Sequence, residues 1–214
     1  PVSCTPTQSL TTPTAGITMN GSCTNGAGLT SNASPLTVKL DKTGPSPALS
    51  VSAGTPGDNG WYVSDVTVDT SGNDSISGPV TCSPDQHQTE DTSGATFAGS
   101  CTNDAGLSTD GAPLTVKLDK TAPTLTITSP LAGAYVLNAT VASAYTCTDG
   151  TSGISTCTGP APSGANLNTS AVGSQTFTIT ATDLAGNHAT MTRDFKIQYA
   201  SFGSCLDSTG HTIL

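Results

Sequence analysis

Apolar and polar residues alternate in short runs along much of the chain. Thr37-Val38-Lys39-Leu40 and Thr115-Val116-Lys117-Leu118 follow this rule, as do Val66-Thr67-Val68-Asp69, Thr124-Leu125-Thr126-Ile127-Thr128 and Thr176-Phe177-Thr178-Ile179-Thr180. A period of two puts Val, Leu, Ile and Phe on one face of a half-buried antiparallel strand and Thr on the wet face. No window sustains the 3.6-residue period of a helix. Gly and Pro, 23 and 14 of the 214 residues, recur often enough to break any helix. Short strands closed by turn signals predict an all-β protein of sandwich type.

The chain repeats itself. Residues 1–43 run PVSCTPTQ, GSCTNGAGL and PLTVKLDKT; residues 79–121 run PVTCSPDQ, GSCTNDAGL and PLTVKLDKT, without a gap. A more distant copy opens at LDKTAPTLTIT: Tyr135-Val136 answers Tyr62-Val63, Ser152-Gly153 to Cys157 answers Ser77-Gly78 to Cys82, and ATDLAGNHA answers CTNDAGLST. A long fixed period with matched cysteines means a domain copied in tandem. This phasing predicts the C-terminal part of one repeat over 1–43, complete repeats over 44–122 and 123–200, and a tail or the start of a further module over 201–214. Asp-Lys-Thr-(Gly/Ala)-Pro joins one copy to the next, and proline there predicts short, stiff linkers in an elongated rod.

Seven cysteines in a chain with six Lys and Arg, and without any CxxC spacing, read as disulfides of an oxidising compartment. The repeat pairs Cys4 with Cys23 and Cys82 with Cys101. In the third copy Ala181 stands where Cys101 is expected and Cys147 is new, which pairs Cys147 with Cys157. Cys205 is left over, its partner either beyond residue 214 or on a neighbouring subunit. The net charge of −9 excludes a phosphate-neutralising surface, hence nucleic acid, and disfavours anionic membranes. No apolar run is long enough to span a bilayer.

With the repeats, the Asp-Lys-Thr-Ala-Pro hinge and the TDLAGN turn (182–187) in hand, the chain resembles the tandem bacterial Ig-like repeats of large secreted or cell-surface proteins, especially of actinobacteria. SGISTC (152–157) and the stretch Tyr135 to Tyr199 carry the likeness, and GSCLDSTGHTIL resembles the opening of a module that follows such repeats. The resemblance implies tandem immunoglobulin-like β-sandwiches serving as extracellular stalks, adhesin segments or accessory modules, without catalytic residues.

The residues are consistent with that silence on catalysis. Glu90, the one glutamate, and His87, His188 and His211 form no acid–base or nucleophile constellation. Calcium is the candidate ligand, taken by Asp41, Asp119, Asn103, Asp104, Asp149 and Asp183 near the hinges and turns; the competing role for these side chains is turn and amide capping. No other cofactor is expected. Trp61 and Tyr62 either stack on a sugar or cap the end of a core. Sequons begin at Asn20, Asn32, Asn73, Asn138 and Asn168, which marks candidate glycosylation on the surface. The expected function is a non-catalytic extracellular spacer or fibre segment. The alternatives are an adhesion or carbohydrate-binding module and a filament subunit assembling by strand addition. Expected partners are like domains of the same polypeptide or of neighbouring subunits, then polysaccharide or a cell surface.

Overall fold

A computed structural model describes residues 2–200, together with the strand backbones Cys205–Leu206 and Thr212–Ile213. The described residues contain strands, turns and bends but no helix. The fold is all-β. The chain divides into two compact units. One comprises Pro1–Ala53, Val66–His87 and Ala95–Thr115, the other Gly54–Asp65, Gln88–Gly94 and Val116–Leu214. Both contain segments of the second sequence copy.

In the second unit the third copy lays out an immunoglobulin-like sandwich. One sheet has the order Ala134–Val136, His188–Gln198, Gly173–Asp183, Ile154–Thr158. The other pairs Thr124–Ser129 with Ala144–Thr148, extended by a bridge between Ala142 and Asn166. Alternation along Gly173–Asp183 sends Phe177, Ile179 and Ala181 inward, where they meet Leu125, Ile127 and Ile197. Tyr145 tilts onto Phe177 at 5.8 Å, and Tyr135 meets Phe195 edge-on at 5.9 Å. Both tyrosines pack against this core. The expected antiparallel pairing is not universal. After Thr124–Ser129 the chain crosses to the other sheet, where Ala134–Val136 runs parallel to His188–Gln198. Trp61–Tyr62 repeats the device in the second copy, pairing in parallel with Lys117 and Leu118. A first strand split between both sheets has to enter the second one parallel to the last strand.

In the first unit Ser46–Ala53 pairs antiparallel with Val66–Asn73. Ser100–Asn103 lies between Val80–Cys82 and Ser108–Asp110. The first copy builds the matching sheet from Ser3–Cys4, Ser22–Thr24 and Thr30–Asn32, and a second from Thr14–Met19 and Leu36–Leu40.

Three disulfides hold these sheets. Cys4 faces Cys23, and Cys82 faces Cys101, as directly opposed residues of neighbouring strands with Cα atoms 4.0 Å apart. Cys147–Cys157 differs: its Cα atoms are 6.0 Å apart and it joins one sheet of the third copy to the other. The exchange of residues explains the change. Cys157 still faces the position of the old partner, now Ala181. Cys147 occupies the place that Gly72 holds in the second copy. There, a Cβ on Gly72 would lie 2.8 Å from the Cys101 sulfur. Glycine makes room for the sulfur in one copy; in the other the sulfur has moved to the glycine's place and the old cysteine has become alanine. The side chain of Cys205 lies outside the described residues.

Candidate functional site: carboxylate hubs at the repeat junctions

Each Asp-Lys-Thr linker has a division of labour that alternation alone does not reveal. In the second unit, Lys120 Nζ reaches back to Asp65 at 2.6 Å and to the Thr89 carbonyl at 2.5 Å. The Thr121 hydroxyl donates to Asp91, and the Thr121 amide to Asp119 Oδ1 at 3.0 Å. Asp119 points forward: its Oδ2 accepts the Ser152 amide at 3.1 Å. Asn187 Nδ2 donates to the linker carbonyls of Asp119 and Thr121 and to Asp183 Oδ2. The loop 57–59 closes the clamp. The Asp58 amide donates to the Ala185 carbonyl at 2.9 Å, and Asn59 Nδ2 to the Leu184 carbonyl at 2.9 Å. Gly57 is required here, since a Cβ would meet the Ala185 carbonyl oxygen at 2.3 Å.

Within this junction Asp119, Asp149 and Asp183 offer carboxylate oxygens that all lie within 4.8 Å of one another. Asp119 is 0% and Asp183 1% exposed. Asp183 is inward because it continues the row Phe177, Ile179, Ala181. Asp149 Oδ1 accepts the Thr151, Ser152 and Gly153 amides. Burial pushes its carboxyl up, but those amides together outweigh burial and hold it below its ordinary value. The donor set is all oxygen and fits a hard divalent cation.

The first junction, in the first unit, is the same device with one decisive change. Asp41 and Asp74 stand where the second junction has Asp119 and Asp149, and Asn103 stands where it has Asp183. The amide of Asn103 bridges the two carboxylates, donating at 3.2 Å to Asp41 Oδ2, at 3.2 Å to Asp74 Oδ2 and at 3.1 Å to the Thr43 carbonyl. Ser77 donates its hydroxyl to Asp41. That bond first, then the Thr43 amide, lowers the Asp41 carboxyl; the Ser77 and Ile76 amides lower Asp74. Here a side-chain donor fills the place where the second junction presents a third acceptor. Of the six residues suggested for calcium, the structure brings together Asp119, Asp149 and Asp183. Asp41 and Asn103 belong to the amide-bridged hub, and Asp104 is an exposed turn residue. Asp74, the counterpart of Asp149, is the hub residue the sequence reading missed.

These depressed carboxyls set an acid limit. A carboxylate whose folded pKa lies below its unfolded value of about 3.9 stabilises fully above that value, and the stabilisation is lost as pH falls through the folded value. Calorimetry is expected to show a thermal midpoint that is flat from pH 7 to about pH 5 and falls below about pH 4. A midpoint rising on acidification would contradict the hubs.

The remaining candidates stay apart. Trp61 is 8% exposed, and Lys117 Nζ sits 5.6 Å from its ring centroid. A ring with one face in the core and the other beneath a lysine has no face to offer a sugar, which corrects the stacking role suggested for it. Tyr62 is half-buried in the same pairing. His87 and His188 are exposed, each with its Nδ1 beside a threonine hydroxyl, and Glu90 is exposed. His211 lies outside the described residues. Asn20, Asn32, Asn73, Asn138 and Asn168 are all exposed.

No family model matches the chain, and no curated protein matches it. Among solved structures, the extracellular cadherin domains 1–5 of protocadherin gamma B2 are 15% identical with a TM-score of 0.35, over 88% of this chain and 46% of that one. Fibronectin(III)-like modules of Clostridium thermocellum CbhA are 12% identical with a TM-score of 0.30, over 71% and 94%. The protocadherin gamma B4 extracellular domain is 14% identical with a TM-score of 0.37, over 90% and 38%. The chain spans about half the length of the first of these. Likenesses at these scores carry no argument about role; the strand order carries the fold. Three disulfides are the mark of an oxidising, extracellular setting. Among the described residues no helix is long and apolar enough to cross a membrane.

Proposed function

We propose that the chain is a non-catalytic spacer segment of a bacterial secreted or surface protein, with residues 201–214 leading into a further module. The observation that carries this reading is the repeated junction. Two successive Asp-Lys-Thr linkers are each tied on both sides by side-chain hydrogen bonds, so the investment lies in holding one copy to the next. Asp41, Asp74, Asp119, Asp149 and Asp183 are engaged in that task. Like domains of the same polypeptide are the partners this reading supplies, and the buried Trp61 removes the main support for a sugar-binding role. Pulling single molecules tests it. A spacer under load extends only as far as its staples allow, so reductant is expected to release about 65 Å for each 19-residue loop and about 35 Å for the ten-residue loop. Equal contour lengths with and without reductant would overturn it.

A second feature of the same function rests on the contrast between the junctions. Where Asn103 Nδ2 binds two carboxylates together in the first, the second gathers three carboxylates with no side-chain donor bridging any two of them. Calcium held by Asp119, Asp149 and Asp183 supplies the missing positive charge and makes the second junction stiff only where calcium is abundant, as it is outside cells.

A further inference from the structure

The hairpin 55–63 clamps the second junction through its tip. The Val63 amide donates to the Thr55 carbonyl, Pro56 faces Tyr62, and the Gly57 amide donates to the Trp61 carbonyl. The chain reverses over Asn59-Gly60, with the Trp61 amide on the Asp58 carbonyl at 2.9 Å and φ of 52° and 76° at the two central residues. Positive φ at both positions is the type I′ turn that Asn-Gly favours. The turn alone does not call for the asparagine: the third copy keeps the glycine but has Ala132-Gly133 at the corresponding tip. What Asn59 adds is its side-chain bond, Nδ2 to the Leu184 carbonyl at 2.9 Å, beside the Asp58 amide on the Ala185 carbonyl.

Asparagine before glycine sets a backbone amide against a side-chain carboxamide, with no Cβ on the glycine to hinder their approach. Asn59 and Gly60 are both exposed, and a Cβ on Gly60 would touch nothing within 4 Å. The turn's own bond uses the Asp58 carbonyl and the Trp61 amide, and among the described residues the Gly60 amide has no acceptor. The chain's other two Asn-Gly steps are held more firmly. The Ala27 and Leu29 amides fix Asn25 Oδ1, both at 3.0 Å. Asn20-Gly21 is held by its backbone: Gln8 Nε2 reaches the Asn20 carbonyl at 2.7 Å, and the Ala33 amide the Gly21 carbonyl at 2.8 Å.

We infer that Asn59-Gly60 is a self-modifying site whose deamidation releases the clamp. The Gly60 nitrogen gives its proton to water and bonds to Asn59 Cγ. The Cγ–Nδ2 bond breaks, and the side-chain nitrogen takes a proton from water and leaves as ammonia. A water molecule then opens the resulting succinimide, at Cγ to give aspartate or at the backbone carbonyl to give isoaspartate. One water enters, one ammonia departs, and nothing is oxidised or reduced. An ionised aspartate only accepts hydrogen bonds. An acceptor then faces the Leu184 carbonyl, beside the Asp58 carboxylate that already lies against Gly186. Isoaspartate routes the chain through Cβ and Cγ, which adds a methylene to the backbone and breaks the turn bond between Trp61 and Asp58. Either product frees the tip, so the second junction loosens as the protein ages. This goes beyond the spacer reading, which stands whether or not residue 59 converts.

The test ages the full chain in mildly alkaline and, in parallel, mildly acidic buffer. Peptide mapping follows amide-to-acid conversion at each Asn-Gly step, and hydrogen exchange follows the Asp58 amide. Asn59 is expected to convert severalfold faster than Asn20 and Asn25, and faster in alkali, because the attacking nitrogen must lose its proton. Exchange at Asp58 should quicken in step with the converted fraction. Freshly made Asn59→Asp should show the quickened exchange from the start, and Asn59→Ala, which copies the tip of the third copy, should show no further change with age. Asn59 that stays intact, or converts no faster than Asn20 and Asn25, overturns the inference, as does conversion at residue 59 that leaves Asp58 exchange unchanged.

Discussion

The double variant Cys147→Gly with Ala181→Cys is expected to fold with a new bond from Cys157 to the cysteine introduced at position 181, whereas either substitution alone destabilises the third copy. The pair reproduces the second copy, where Gly72 leaves space for the Cys101 sulfur. Residues 157 and 181 are already directly opposed on neighbouring strands, as Cys82 and Cys101 are. Cys147→Gly alone opens the ten-residue loop, a loss of about 3 kcal/mol in the loop-entropy account, with a further loss for glycine in a strand. Ala181→Cys alone adds a sulfur to a 2% exposed position beside an intact Cys147–Cys157 bond, and overpacking of that kind costs about 1–3 kcal/mol. Together the substitutions close a longer loop and regain about 3 kcal/mol, so the coupling energy in a double-mutant cycle should be of that order. Denaturant unfolding measures the energies, and peptide mapping without reduction identifies the bond. A double variant with Cys157 free, or one as unstable as the sum of the singles, would show that the two arrangements are not interchangeable.

Much of this was open to inspection in the one-dimensional pattern. Alternation located the inward rows, such as Phe177 and Ile179, because side-chain direction in a strand depends only on parity. The duplicated segments located two disulfides, because equal positions in copied domains face equal neighbours. The third pair followed from one lost and one gained cysteine. The turn from a bond within a sheet to a bond between sheets did not follow, since it depends on which strands share a sheet. The buried acids were half legible. Asn103 and Asp183 extend the rows ending in Cys101 and Ala181, so parity alone could have placed them inside. An aspartate next to Leu-Ala-Gly-Asn nevertheless reads first as a turn former. Asp119 breaks parity, since it follows the buried Leu118 directly and is itself buried. Its forward partner, the Ser152 amide, lies 33 residues on, and the Asn187 amide 68 residues on. No local period encodes such distances. Lys120 illustrates the same limit: as an exposed linker lysine it reads as solubility, yet its ammonium ties the hinge to Asp65 and the Thr89 carbonyl. Trp61 was ambiguous from sequence because one residue cannot report which of its two faces is covered.

Calcium is expected to raise the thermal midpoint of the wild-type third copy, and Asp183→Asn to abolish that rise while leaving the copy folded in its absence. At the first hub, the Asn103 amide donates to two carboxylates, so the site is complete without an ion. At the second, three carboxylates converge and each side-chain donor reaches only one of them: Asn187 Nδ2 binds Asp183 and linker carbonyls, and the Ser152 hydroxyl binds Asp149. Like charges gathered in a buried place repel, and a divalent cation turns that repulsion into attraction. A ligand bound only by the folded state stabilises it by about 2.7 kcal/mol at a hundredfold excess over its Kd. For a domain of this size that corresponds to roughly 10–20 °C. Asp183→Asn copies the first hub into the second. It removes one of three charges and offers an amide for Asp119 and Asp149, so the calcium-free protein should be as stable as wild type or more so. The response to calcium should vanish. Asp74→Ala serves as the matched control, since it disturbs the hub that already has its donor; wild-type calcium response should persist there. Scanning calorimetry with calcium and with chelator reads all three proteins, and magnesium in place of calcium checks that ionic strength alone is not at work. A wild-type midpoint indifferent to calcium would leave the second junction held by hydrogen bonds alone, and the spacer reading would then rest on the Asp-Lys-Thr ties without the ion.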